Sequence, residues 1–311
     1  MSSGPRVLIP RVLILGSAGQ LGCELQRSFS GAGEILTCGR DSLDLADHEQ
    51  VRRFVRSAAP DIILNAAAYT AVDRAESEPD LAMAVNAGAP AVLAEEAMRL
   101  GALLVHYSTD YVFDGSKVGA WQEADIPNPL NVYGASKLAG ERAITQIGGR
   151  VLIFRTSWVY GAHGNNFLRT MLRLGRERDR LNIVDDQIGA PTTTIELANA
   201  TRSVVDGVRN DRLGSVERWA GIYHMTCGGS VSWCGFAKAI FERAQSLLQE
   251  RFPVVNPIGT SEYPTPAKRP QNSVLSNAKL SDCFGIQLSG WEPALDAVID
   301  QLKAHDPNLH N

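Results

Sequence analysis

Tyr133-Gly-Ala-Ser-Lys137 sets a phenol and an ammonium four residues apart, and on a helix such a pair shares one face. The two groups can then address one substrate together. A phenol has a reference pKa of about 10, and lowering it by ~3 units takes about 4 kcal/mol of added phenolate stabilisation. A neighbouring ammonium supplies part of that, so partial lowering of the Tyr133 pKa is expected, leaving a competent general acid. One segment earlier, Ser108-Thr109 follows the apolar run 102–106, and the Thr109 hydroxyl can hydrogen-bond a reacting carbonyl oxygen. A turn closing the strand would also explain a hydroxyl residue there, but not its companions.

A second constellation lies at the start of the chain. Gly16-Ser-Ala-Gly19-Gln-Leu-Gly22 follows the apolar run Val12-Leu-Ile-Leu15 and opens a helix-like segment. Glycines in that context let the backbone turn tightly and approach a pyrophosphate, whose charge meets the free N–H groups of a helix N-terminus. The spacing GxxGxxG is that of extended short-chain dehydrogenases/reductases. About 20 residues on, where a dinucleotide site reads the ribose, stand Arg40 and Asp41. Arg40 can grip a 2′-phosphate in bidentate fashion, which favours NADPH, whereas Asp41 as a ribose ligand would favour NADH. The alanine-rich stretch Asn65-Ala-Ala-Ala-Tyr-Thr70 suits close helix–sheet packing and a flat cofactor equally.

The elements that must carry these residues follow from hydrophobic period. Short apolar runs at 12–15, 34–38, 62–64, 103–105 and 151–154 alternate with helix-like segments over 21–29, 49–57, 90–100 and 132–147. That alternation predicts an α/β, Rossmann-type doubly wound parallel sheet over 11–160. Past residue 160, helices over 165–178, 194–206 and 232–249 are separated by Gly/Pro-rich loops, which predicts a smaller, loop-rich substrate lobe over 161–311. Segments near 180–225, such as Gly221-Ile-Tyr-His-Met225, are candidates to return to the main sheet. Residues 1–10 are expected to be a disordered extension.

The formal charge of −4 gives no basic footprint for nucleic acid or anionic membrane, and no apolar stretch has the ~18 residues of a membrane span. A small-molecule partner in the cytoplasm is the expectation. Five scattered cysteines without CxxC spacing read as reduced thiols, and the six dispersed histidines as structural or surface groups.

Longer strings carry a family resemblance. Asn65-Ala-Ala-Ala-Tyr-Thr-Ala-Val-Asp-Arg-Ala-Glu-Ser-Glu-Pro79, Tyr107-Ser-Thr-Asp-Tyr-Val-Phe-Asp-Gly115, Pro129-Leu-Asn-Val-Tyr-Gly134, Arg155-Thr-Ser-Trp-Val-Tyr-Gly161, Gly189-Ala-Pro-Thr192 and Arg269-Pro-Gln-Asn-Ser273 closely resemble dTDP-4-dehydrorhamnose reductases. The likeness runs from about residue 11 to near Trp291. It implies NADPH-dependent reduction of the C4 keto group of dTDP-4-dehydro-β-L-rhamnose, the last step towards dTDP-L-rhamnose, with Tyr133 protonating O4. It further implies a cofactor site lined by Gly19, Gln20, Leu21, Asp44, Leu45, Ala67, Ala68, Tyr69, Thr70, Tyr107, Tyr133 and Lys137. Thr109, Asp110 and Trp158 would meet the sugar nucleotide, although a Trp at a strand end reads equally as core, and Lys268-Arg269 could add charge for the diphosphate. Some relatives hold Mg²⁺ through glutamates at a homodimer interface. Glu24 matches one such position, but Glu196 is displaced by one residue, and Glu24 is more simply a surface acid; monomer and homodimer both stay open.

Two rival readings share parts of this pattern. A sugar-nucleotide 4,6-dehydratase or epimerase shares the glycine loop and YxxxK, yet a dehydratase follows the Thr with an Asp-Glu acid–base pair, and here Tyr111 stands in the Glu position. A non-catalytic regulatory subunit like that of methionine adenosyltransferase is the other, against which stand the intact Thr109, Tyr133 and Lys137. A reductase of a different nucleotide 4-keto sugar remains within the same reading.

Overall fold

A computed structural model describes residues 9–210, 212–248 and 253–304; most of the expected extension over 1–10 lies outside them, as does Gln249. The first half alternates strand and helix: β1 (Arg11–Leu15), α1 (Gln20–Ser28), β2 (Glu34–Cys38), α2 (His48–Ala58) and β3 (Ile62–Asn65). The short α3 (Val72–Ala75) and α4 (Pro79–Met83) lead through a π-helical turn, Ala84–Gly88, into α5 (Ala89–Leu100), β4 (Leu103–Thr109), α6 (Val132–Ile147) and β5 (Val151–Thr156). The chemistry of the ends is local. Asp47 accepts from Gln50 N at the start of α2, and Asn131 accepts from Gly134 N at the start of α6. Gly101, at φ 69°, ends α5 in the left-handed conformation.

The second half adds β6 (Val159–Tyr160), α7 (Phe167–Glu177), β7 (Arg180–Val184), β8 (Ile188–Gly189), β9 (Thr192–Thr193), α8 (Thr194–Arg209), α9 (Val216–Trp219) and β10 (Gly221–His224). It closes with β11 (Val231–Ser232), α10 (Trp233–Arg243), β12 (Val254–Ile258), α11 (Ala278–Phe284) and α12 (Trp291–Ala304).

Six strands form one parallel sheet in the order β10-β5-β4-β3-β1-β2. The order reverses between β1 and β3, and in open α/β sheets ligands bind beyond the carboxyl ends of the strands at such a switch point. The four central strands β1, β3, β4 and β5 are almost wholly buried because helices cover both faces, which is why they read as continuous apolar runs. Two hydrophobic clusters flank the sheet: Leu25, Tyr107, Phe154, Leu197 and Val205 on the α1/α8 side, and Leu93, Val51, Ile144 and Ile153 on the α2/α5/α6 side.

Beside the carboxyl end of the sheet, the parallel pair β7–β12 and helices α7, α10 and α12 enclose a separate cluster of Tyr160, Leu168, Phe236, Ile240, Leu295 and Val298. The expected helix over 232–249 is split there. α10 ends at Arg243, and Gln245–Leu248 is a tighter 3₁₀ turn whose Leu247 and Leu248 are buried.

Candidate active site

The glycine turn is built by steric exclusion. Gly16 has φ +75°, and a Cβ there would lie 2.8 Å from the Ala67 backbone; one on Gly22 would lie 2.1 Å from the Gly16 carbonyl oxygen. Gly16 and Ser17 donate backbone N–H bonds to Cys38 O, so the turn is clamped between the ends of β2 and β3. Gly19 caps α1 without a side-chain bond, which leaves the helix N-terminus to an anionic ligand. Gln20 reaches away from the turn to Asn165 O and accepts from Asn166 Nδ2, and Leu21 packs into the core, so these two can face a ligand only through their backbone. Arg40 is exposed at the end of β2; Asp44 accepts from Ala46 N in the next turn, and Leu45 packs half-buried behind it. Ala68 is half-buried and Thr70 exposed, while Tyr69 is fastened by its neighbours. Its N–H and C=O both bond the Asn86 side chain, and its hydroxyl donates to Glu78.

α6 packs closely on the turn after β4 and on the π-helical turn Ala84–Gly88 because small residues face them. A Cβ on Gly134 would lie 2.2 Å from Tyr111 O, and one on Gly140 2.1 Å from Asn86 O. Ser136, between them, is buried and accepts from Asn86 Nδ2 at 3.0 Å. This approach carries Tyr133 and Lys137 to the end of β4. The Lys137 ammonium is 2% exposed and donates to Tyr107 O at 2.6 Å, with His106 Nε2 3.2 Å away. Burial pushes its pKa down to about 8, opposed by the nearby Glu141 carboxylate.

The expectation that Lys137 helps to lower the Tyr133 pKa is corrected. Burial pushes the Tyr133 phenol up to about 12, a hydrogen bond with Thr109 works against this, and the Asp110 charge adds to the rise. The ammonium is turned to the β4 backbone rather than to the phenol, and Tyr133 is held protonated.

Thr109 both ends its strand and faces the site. Its Oγ1 accepts from Tyr111 N and donates to Asp110 Oδ1 at 3.0 Å. Asp110 is 3% exposed; burial raises its pKa to about 6, while the hydroxyls of Ser273, Thr109 and Ser157 hold it down. Around it, Ser108 Oγ, Thr156 Oγ1, Ser157 Oγ and Asp110 Oδ2 are buried oxygens without a geometrically sound hydrogen-bond partner. Such groups are costly to bury, and their gathering at the carboxyl ends of β4 and β5 suits a polyhydroxyl ligand. Tyr111 packs edge-on against Tyr133, with ring centroids 5.8 Å apart and planes at 78°.

Trp158 adopts φ +49°, a left-handed conformation rare for a bulky residue. Its ring stacks on Trp233 with centroids 3.4 Å apart, and a Cβ on Gly189 would lie 2.5 Å from it. Strain of this kind costs about 1–3 kcal/mol and gathers at functional sites. Arg269 closes the opposite side: Nη2 donates to Asp73 at 2.8 Å, and the neighbouring Lys268 O accepts from Asn131 Nδ2.

The substrate-binding domain family model named for RmlD matches residues 10–304. The chain is 47% identical to a dTDP-4-dehydrorhamnose reductase of Burkholderia thailandensis over 298 residues, covering 94% of this chain and 99% of that one. It is 42% identical to the dTDP-4-dehydrorhamnose reductase of Escherichia coli, covering 94% and 97%. The chain belongs to the dTDP-4-dehydrorhamnose reductase family. Among solved structures of that family, the Bacillus anthracis reductase, crystallised in complex with NADP, superposes with a TM-score of 0.85 at 38% identity, covering 94% of this chain and all of the other.

Within this reductase fold, the reading of Glu24 as a surface acid is corrected. It is 6% exposed and pairs with Arg27 at 2.8 Å, because α8 lies along α1, where Ser28 bonds Ala198 O and Asn199. Among the described residues, no group of three or more His, Cys, Asp or Glu side chains could hold a metal, so Mg²⁺ gains no support. No helix of the described residues is long and apolar enough to cross a membrane. Sequence reasoning missed Asn86, His106 and Trp233, and named Asn65 only as the start of the stretch set against a flat cofactor. For His106 there is a signal: it is a polar residue inside a strand whose every position is buried.

Proposed function

We propose that this chain reduces the C4 keto group of dTDP-4-dehydro-β-L-rhamnose to give dTDP-L-rhamnose, with NADPH as reductant. The observation that carries the reading is the buried set at the end of β4: a Tyr133 phenol held protonated and bonded by Thr109, beside a glycine turn that any Cβ would fill. NADPH, when bound, supplies the hydride. The Gly16–Gly22 turn and the uncapped start of α1 would receive its pyrophosphate, Arg40 its 2′-phosphate, and the Asn65–Thr70 backbone its nicotinamide side. These residues fit the group, because Gly16 and Gly22 leave no room for a Cβ and Gly19 leaves the start of α1 without a side-chain cap, at the switch point of the sheet.

Tyr133 gives its phenolic proton to the developing O4 alkoxide, and a group titrating at about 12 is fully protonated for that task at neutral pH. Thr109 holds the same oxygen once its hydroxyl hydrogen turns from Asp110 Oδ1 to the substrate, and Lys137 keeps a positive charge in the buried site below about pH 8. Asp110 and the hydroxyls of Ser157 and Ser273 would receive sugar hydroxyls, with Trp158 against the sugar nucleotide. Tyr111 speaks against dehydration: its ring packs on Tyr133 where a second acid would be needed. The test is NADPH oxidation by purified protein with dTDP-4-dehydrorhamnose, with the product sugar identified. Consumption only in the presence of the keto sugar supports the reading; binding of NADPH without turnover of any 4-keto sugar nucleotide refutes it.

A further inference from the structure

Behind Lys137 lies a polar pair that the reaction above does not use. Asn65 of β3 and His106 of β4 are cross-strand partners, each 1% exposed. His106 Nε2 is 3.2 Å from Lys137 Nζ, and Nδ1 is 3.0 Å from the Asn65 side-chain amide. The ammonium's other bond goes to Tyr107 O. The surrounding charges are accounted for elsewhere. Glu141, one turn along α6, forms a bidentate pair with Arg155 of β5, and the Tyr107 phenol points across the sheet to Thr201 of α8. Asp110 bonds Thr109, and among the described residues no carboxylate hydrogen-bonds His106.

Burial and the Lys137 charge hold His106 well below its ordinary pKa, so the ring is neutral. A neutral imidazole has one N–H and one lone pair, and an ammonium can only donate. Nε2 must therefore carry the lone pair, and Nδ1 the hydrogen. Nδ1–H then needs an acceptor, and among the described residues its hydrogen-bond partner is the Asn65 amide. Amide oxygen and nitrogen are told apart by their hydrogen bonds. As placed, Asn65 Nδ2 faces Nδ1 and Oδ1 sits buried without a partner; turning the amide over sets Oδ1 opposite Nδ1–H and moves Nδ2 to the other place.

We infer that Asn65 and His106 are positioning residues for Lys137: the Asn65 carbonyl fixes His106 as the Nδ1–H tautomer, and the Nε2 lone pair holds the lysine as an ammonium at the reaction site. The inference rests on Lys137 belonging to the reductase site. A neutral Lys137 amine accepting from Nε2–H would be the opposite arrangement.

Two measurements separate the inference from the functional reading. Long-range ¹H–¹⁵N NMR of the full-length protein labelled at histidine nitrogen, at pH 7, reads the His106 tautomer without any turnover. Protonated Nδ1 is expected; protonated Nε2 overturns the inference, whether or not the protein reduces the sugar. In the turnover assay, His106→Leu removes the acceptor, and the alkaline limb of kcat should move down by roughly one pH unit with KM for the sugar nucleotide little changed. His106→Gln, whose amide oxygen can take the place of Nε2, should restore the limb. His106→Asn reaches only the Nδ1 position and should not; it replaces the Leu variant if that one does not fold. A limb that stays in place in a folded variant lacking the Nε2 acceptor overturns the inference.

Discussion

Two regions meet at the carboxyl end of β4, and they are built from opposite materials. The contact of α6 with the turns around β4 is made of backbone and small residues: Gly134 sits against the Tyr111 carbonyl and Gly140 against that of Asn86, whose side chain joins Tyr69 to Ser136. The region around α7, α10 and α12 is made of large side chains, with Trp158 stacked on Trp233 and Phe167 and Trp291 packed around Phe236. Backbone contacts admit one geometry, whereas aromatic surfaces slide and repack. In the proposed function, this difference sets the proton chemistry on the rigid side and ligand recognition on the adaptable side.

Substitutions can break that division, beginning where the effect is largest. Tyr133→Phe removes the proposed general acid and should lower kcat by about 10²–10⁴ while leaving NADPH affinity intact, as read by turnover and by cofactor fluorescence titration. Gly140→Ala forces a Cβ onto the Asn86 carbonyl and should cost about 1–3 kcal/mol of stability, read as a lower urea midpoint with unchanged slope. A shift in midpoint as small as that of an exposed substitution would remove the claim that this contact admits one geometry.

The pH profile follows from Lys137. Its pKa is lowered to about 8, so the charged form is complete below that value and lost above it; kcat should fall roughly tenfold for each unit well above the limb. Tyr133, pushed up to about 12 by burial in the ligand-free protein, titrates above that window. The smallest effect is expected on the aromatic side. Trp233→Leu removes the stack that orients Trp158 and should raise KM for the sugar nucleotide by roughly three- to tenfold, with kcat nearly unchanged. A loss mainly in kcat would mean that the two regions are not separable.

The sequence made the rigid side legible and the adaptable side much less so. Strands buried on both faces appear as unbroken apolar runs, and the i, i+4 spacing of Tyr133 and Lys137 follows from helical period alone. β7 and β12 are short, partly exposed, and pair across more than 70 residues, with Pro257 inside the second, so neither run announces a strand. The positions of Asn65 and His106 depend on cross-strand register, which no local pattern encodes. Arg269 meets Asp73 across 196 residues of chain, and Glu24 is buried by a helix that follows far downstream. The Tyr133 pKa was read in the wrong direction for a related reason: helical spacing gives proximity to Lys137, but burial, which only the packed fold reveals, is the larger influence.

The most direct test of the central claim follows the transferred atom. With NADPH carrying deuterium at both nicotinamide C4 positions and dTDP-4-dehydrorhamnose as substrate, this chain should place deuterium on C4 of the sugar, with the new O4 proton coming from solvent through Tyr133. Deuterium absent from C4 of the product, or a sugar returned unreduced while NADPH remains bound, would contradict it.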